Sequence, residues 1–89
     1  MGQTASRTTS LKYTLERGVD YPDNDIASYD LKGQKNGYIL CQIHCSSNMK
    51  CVGFVFSDVV GQESCWLKSS LSESDKTPKD GAISYKRLK

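Results

Sequence analysis

Three cysteines and the chain's single histidine fall within the eleven residues CQIHCSSNMKC, from Cys41 to Cys51, and a fourth cysteine stands at Cys65. Those residue types support three chemistries: metal ligation, thiol reactivity and disulfide cross-linking. Structural zinc takes four Cys/His ligands, commonly as short C-x2-4-C pairs joined by a longer spacer. Cys41 and Cys45 make one such pair, but Cys51 and Cys65 have thirteen residues between them and both sit in strand-like apolar runs. The spacing therefore argues against a metal. Redox chemistry favours C-x-x-C, which is absent. A nucleophilic cysteine needs a base, and on a helix His44 is about 100° round from Cys45 and does not face it. Disulfides remain. A bridge from Cys41 to Cys45 would strain the geometry of a single helical turn. Of the three ways to pair four cysteines, the two that join helix to sheet are preferred. In the nested one, Cys45 at the helix end takes the nearer Cys51, and Cys41 takes Cys65. Each closed loop is expected to contribute about 2–4 kcal/mol.

A chain of 89 residues has room for one domain. At this size apolar burial is roughly cancelled by about 1.5 kcal/mol of conformational entropy per ordered residue, so a cross-link is expected. An even cysteine count implies an oxidising compartment. The start, MGQTASRTTS, is Ser/Thr-rich and carries no apolar run, so residues 1–10 read as a linker and residues 11–89 as a single module. The expectation is one unit of a larger secreted or surface protein. No apolar run approaches the ~20 residues of a membrane span. A net charge of +2 implies neither nucleic acid nor lipid.

The elements that must position the cysteines follow from periodicity. LKYTLERGV alternates as a strand, with Leu11, Tyr13 and Leu15 on one face. DYPDNDI is a loop, and ASYDL a short strand or bridge. NGYILCQIHCSSNMK is the helix: Asn36 is placed to cap it, and Tyr38, Cys41, Cys45 and Met49 form a stripe. Ile39 and Ile43 make a second apolar patch, which predicts a helix covered on more than one side. CVGFVFSD puts Val52, Phe54 and Phe56 on one face and Cys51, Gly53 and Val55 on the other; apolar on both, it predicts a central strand. CWLKS pairs with it, Cys65 and Leu67 opposing Trp66 and Lys68. Residues 69–81 read as one polar loop, and AISYKRL as a last strand with Ile83 and Tyr85 on one face. The fold class is α+β, a small antiparallel sheet with one helix packed on it.

The order DYPDNDI, a helix bearing C-x3-C, then CVGFVF and CWLKS, resembles a PAN/apple module from Tyr13 to Arg87. The start of the central strand and the Cys-Trp-Leu-Lys strand carry the likeness best. The resemblance implies two disulfides in the nested pairing, Cys45–Cys51 and Cys41–Cys65. The third bridge of full apple domains, such as those of plasma prekallikrein and coagulation factor XI, has no counterpart here. The shorter PAN subtype is therefore the one resembled, as in tandem arrays of apicomplexan microneme adhesins. Asp23 stands where the family often has glycine, and aspartate tolerates the left-handed turn this requires.

The resemblance implies a non-catalytic module that binds proteins or carbohydrates, located outside the cell or in a secretory organelle, without a cofactor and flanked by sister modules. Consistent with that, the chain has no G-x-S-x-G, P-loop or H-E-x-x-H motif. Asp20, Asp23 and Asp25 lack a calcium-loop pattern and read as turn formers. A protein partner or cell-surface receptor is expected on the sheet face that the helix leaves open, together with the 69–81 loop. A lectin-like alternative for galactose-type sugars would use Trp66, Tyr85 and Tyr38 for stacking, with Lys68 and Lys86 as donors. Weaker alternatives are a polyanion contact through Lys86, Arg87 and Lys89, and a structural spacer in an array.

Overall fold

GFVFS is apolar on both faces because both faces are covered. A computed structural model of the chain, describing residues 13–34 and 36–88, places this segment at the centre of the sheet. The strands are β1 (Tyr13–Asp20), β2 (Asp25–Asp30), β3 (Gly53–Ser57), β4 (Ser64–Lys68) and β5 (Thr77–Arg87), with one helix, α1 (Gly37–Ser46). They form a single sheet in the order β1-β5-β3-β4-β2, every pair antiparallel. The fold is the α+β arrangement expected. The proposed linker 1–10, Leu11 and Lys89 lie outside the described residues.

On the helix side of the sheet Phe54 and Phe56 are buried with Cys65, Leu67 and Ile83, and Tyr85 packs on this group. The Phe54 and Tyr85 rings stack at 4.6 Å. On the other side Val55 is buried with Tyr21 and Ala82, against Val19, Trp66 and Leu71. Between the two layers Gly53 cannot be replaced without movement. A Cβ there would lie 2.2 Å from the Tyr85 carbonyl oxygen and 2.5 Å from Leu71 Cδ1.

Four readings of the sequence change. Cys51 does not continue the β3 alternation: the strand starts at Gly53, and Cys51 belongs to the helix-side core. Asn36 does precede the helix, but its backbone is left-handed (φ 57°) and its side chain makes no capping bond. The helix ends at Ser46, so Met49 lies beyond it and is fully exposed instead of extending the buried stripe. The 69–81 segment is not one loop. It contains a short 3-10 turn, Glu73–Asp75, and from Thr77 onward it is β5.

That last difference has a clear geometry. Arg17 pairs with Ile83 and Val19 with Pro78, so Gly18 alone opposes the four residues 79–82. The excess bows out of the ladder, as bulges do when they re-aim side chains. Gly18 and Gly81 take the positive φ this needs, 74° and 82°.

The helix buries only Gly37, Cys41 and Cys45. Its attachment is covalent: Cys41 is bonded to Cys65 of β4, and Cys45 to Cys51 ahead of β3. The C-terminal end is held by Arg87 of β5. Its guanidinium donates to the carbonyls of Cys45 (3.1 Å), Asn48 and Cys51 (both 3.2 Å) and Ser46 (3.3 Å). Those carbonyls belong to the helix end and the turn that follows it, where a cation is favourable; Cys45 and Asn48 also accept backbone N–H groups, from Asn48 and Cys51.

The bridges span 24 and 6 residues of sequence. Loop closure then assigns about 3.5 kcal/mol to Cys41–Cys65 and about 2.4 kcal/mol to Cys45–Cys51. Paired Cys→Ala replacements, followed by urea denaturation, should rank the losses in that order. A larger loss from the Cys45/Cys51 pair would show that the short loop acts through native packing rather than through the unfolded chain.

Candidate functional site

The β1–β2 turn rises over the helix-free face on one side, and the bowed start of β5 and the β3–β4 turn rise on the other. Between them is a groove of about 660 Å³. Its floor is Val55, Ala82 and the partly exposed Trp66. One wall carries Asp20, Asp23 and Asp25, and the other Val59, Lys79 and Asp80. Asp23 and Asn24 are both left-handed, φ 73° and 62°, so the turn does adopt the geometry expected at Asp23.

Lys68 fixes this wall to the sheet. Its side chain is only 4% exposed, and its ammonium donates to the Asp25 carboxylate and, at 3.2 Å, to the Asp23 carbonyl. A charge so enclosed persists only when paired. The sequence reading made Lys68 a ligand donor; the structure uses that donor internally.

The other residues singled out from the sequence do not converge. Trp66 lies in the groove. Lys86 is exposed on the same face but in a separate hollow beside Glu16, Tyr21 and Glu73. Tyr85 is on the opposite face, its ring parallel to that of Tyr38 at 6.1 Å. There, with Leu15, Arg17, Gln42 and Asp58, the two tyrosines line a shallower groove of about 520 Å³. Burial, reinforced by Tyr38, holds the Tyr85 phenol above its usual pKa. Of the polyanion candidates, Arg87 is spent on the helix end and Lys89 is outside the described residues. His44 stacks flat on Tyr29, centroids 4.2 Å apart, which makes it a packing residue on the helix flank. Ile39 and Ile43 are 43% and 56% exposed, so among the described residues the helix is covered on one side only.

Beside the groove a polar latch holds the 69–76 segment down. Lys76 pairs with Glu16, and the Tyr21 hydroxyl donates to Glu16 (3.2 Å) and Glu73 (3.4 Å). The Lys76 contact pulls the Glu16 carboxyl below its usual pKa. Burial, then the Glu16 charge, pushes the Tyr21 phenol up.

The groove's acidic wall was in plain sight as a turn-forming run, and Lys79 and Asp80 as part of a loop. Nothing local in the sequence says that the two segments face each other across Trp66, because the bulge that presents Lys79 and Asp80 depends on pairing with β1. No group of three or more metal-ligating side chains forms among the described residues.

A family model for the PAN domain matches residues 19–68, from the end of β1 to the end of β4, more than half of the chain. The chain belongs to the PAN domain family. The matched span contains both disulfides, the helix and Trp66, and leaves out β5. Comparison with curated proteins and with solved structures gave no match. PAN domains bind proteins or carbohydrates and are generally non-catalytic.

Two outcomes check the electrostatics. Asp25→Ala leaves the Lys68 ammonium with one carbonyl partner, and should cost about 1–3 kcal/mol in urea denaturation. Lys68→Met, which removes the charge at similar volume, should cost less. A phenol whose pKa is raised on folding adds stability that is complete below the unfolded value, near pH 10, and is lost as pH rises through the folded value. The denaturation midpoint should therefore fall above about pH 10, and Tyr21→Phe should flatten that fall. Equal slopes for parent and variant would mean that the Tyr21 phenol ionises as freely folded as unfolded.

Proposed function

We propose that this PAN domain is a non-catalytic, extracellular binding module, one unit of a larger secreted or surface protein, and that the groove over Trp66 is where it meets a protein partner. The observation that carries this reading is the groove itself. It combines a partly exposed tryptophan, rigid turn-borne walls and a volume suited to side chains, on the sheet face that the helix leaves open. Aromatic anchors in such hollows dominate protein recognition. Two disulfides in so small a domain favour an oxidising location. The groove takes up part of the surface expected from the sequence: the open sheet face and, of the 69–81 segment, only Lys79, Asp80 and Gly81.

A second reading is favoured by one further arrangement. Tyr38 and Tyr85, parallel and ringed by Arg17, Gln42 and Asp58, offer stacking surface and polar donors to a galactose-type sugar on the helix side. The two readings use opposite faces, so one experiment separates them. Binding of the labelled chain to intact cells or to candidate receptor ectodomains is compared for parent, Trp66→Ala and Tyr85→Ala. Loss of at least about tenfold for Trp66→Ala alone is expected. Loss confined to Tyr85→Ala, together with competition by free galactose, would move the site to the tyrosine groove.

A further inference from the structure

We infer that the groove over Trp66 takes a cationic segment of a protein partner, a lysine or arginine side chain lying on the indole and held by the carboxylates of Asp20, Asp23 and Asp80. This rests on the groove being the binding surface.

The charge distribution is the first argument. The chain as a whole is net positive, +2, yet the groove is not. Asp25 is neutralised by Lys68. Among the described residues Asp20, Asp23 and Asp80 form no ion pair, and Lys79 is the one unpaired ammonium of the lining. Three carboxylates against one ammonium leave the groove negative. A low-dielectric wall such as Val55, Ala82 and the indole focuses that field into the hollow.

The floor is the second argument. Tryptophan offers the best aromatic face to a cation, and arginine is the commonest occupant. A flat guanidinium on the indole places its edge N–H groups toward carboxylates on the walls, which suits its fork of donors.

The third argument decides the kind of cation. The carboxylates are spread over both walls and do not gather into a group able to hold a metal ion. Pro22 and Val59 add apolar surface on opposite sides of the groove. An organic cation on an extended chain with apolar neighbours satisfies both features. The walls are preset: Asp23 is locked by its left-handed turn and by the Lys68 bond to its carbonyl, and Asp80 by the bulge of β5.

Because Trp66 is the only tryptophan, its emission reports on this groove alone. The full chain is titrated with three end-blocked peptides of alternating sequence, Arg-Pro, Glu-Pro and Gln-Pro, and with free galactose. The Arg-Pro peptide should shift Trp66 emission, and the shift should weaken as salt rises from about 0.05 to 0.5 M. Asp23→Asn and Asp80→Asn should each weaken it roughly two- to fivefold, and Lys79→Ala should strengthen it. Saturable binding of the Glu-Pro or Gln-Pro peptide, or of galactose, with equal or greater effect on Trp66 would overturn the cation while leaving the groove as the site. A concentration-dependent shift of the protein alone that Arg-Pro does not displace would overturn it in favour of a second copy. If the receptor of the cell experiment binds unchanged in Trp66→Ala, the groove reading itself falls.

Discussion

The bond between Cys41 and Cys65 ties the middle of α1 to β4, and it stands in for a hydrophobic stripe that the helix does not have. An ordinary surface helix holds to its sheet through an apolar face of several large side chains. Here the inward face is a glycine and two half-cystines, while Ile39 and Ile43 point to solvent. Gly37 lets the helix sit close: a Cβ there would be 3.0 Å from Leu31 Cδ1 and 3.3 Å from the Phe56 ring. Close approach plus sulfur replaces bulk plus burial. The helix end is then closed by Arg87, which reaches it from the helix-side face of β5 and whose four carbonyl partners span the loop that the second disulfide closes.

With the helix fixed on one face, the other is free to be shaped by turns. What shapes it is polar and buried at the same time. Lys68 anchors the β1–β2 turn, and Ser84, also buried, donates to the Val19 carbonyl at 2.6 Å. Tyr21 ties the 3-10 turn to β1, its ring in the small apolar cluster and its hydroxyl between Glu16 and Glu73. Each of these groups satisfies a donor that would otherwise be costly to enclose. The stiffness of the groove therefore comes from the same contacts that keep a thin sheet from having a wet, loose second face.

Much of this was legible in the chain. A strand apolar on both sides had to be central, and β3 is flanked by β5 and β4. The alternation of Cys65 and Leu67 against Trp66 and Lys68 gave the two faces of β4 correctly. The three-four spacing of Tyr38, Cys41 and Cys45 gave the helix and its inward cysteines. What could not be read was set by partners distant in sequence. Arg87 looked like one more charge in a basic ending, and only the folded chain brings it under the helix end 42 residues away from Cys45. Lys68 looked like a free donor until Asp25 was placed beside it. The outward isoleucines looked like a second buried stripe, because periodicity shows that residues share a face and not whether anything covers it.

The register of the outer strands carries one more consequence. Tyr13 lies opposite Arg87, so β1 begins where β5 ends and both point the same way out of the domain. Tension applied through these two ends does not shear the pair. It opens the ladder one rung at a time from the Tyr13–Arg87 end, and the first contact to yield is the guanidinium under the helix. The covalently closed segment from Cys41 to Cys65 bears none of that load, so a pulled domain peels at its edge while its helix stays stapled to the inner strands.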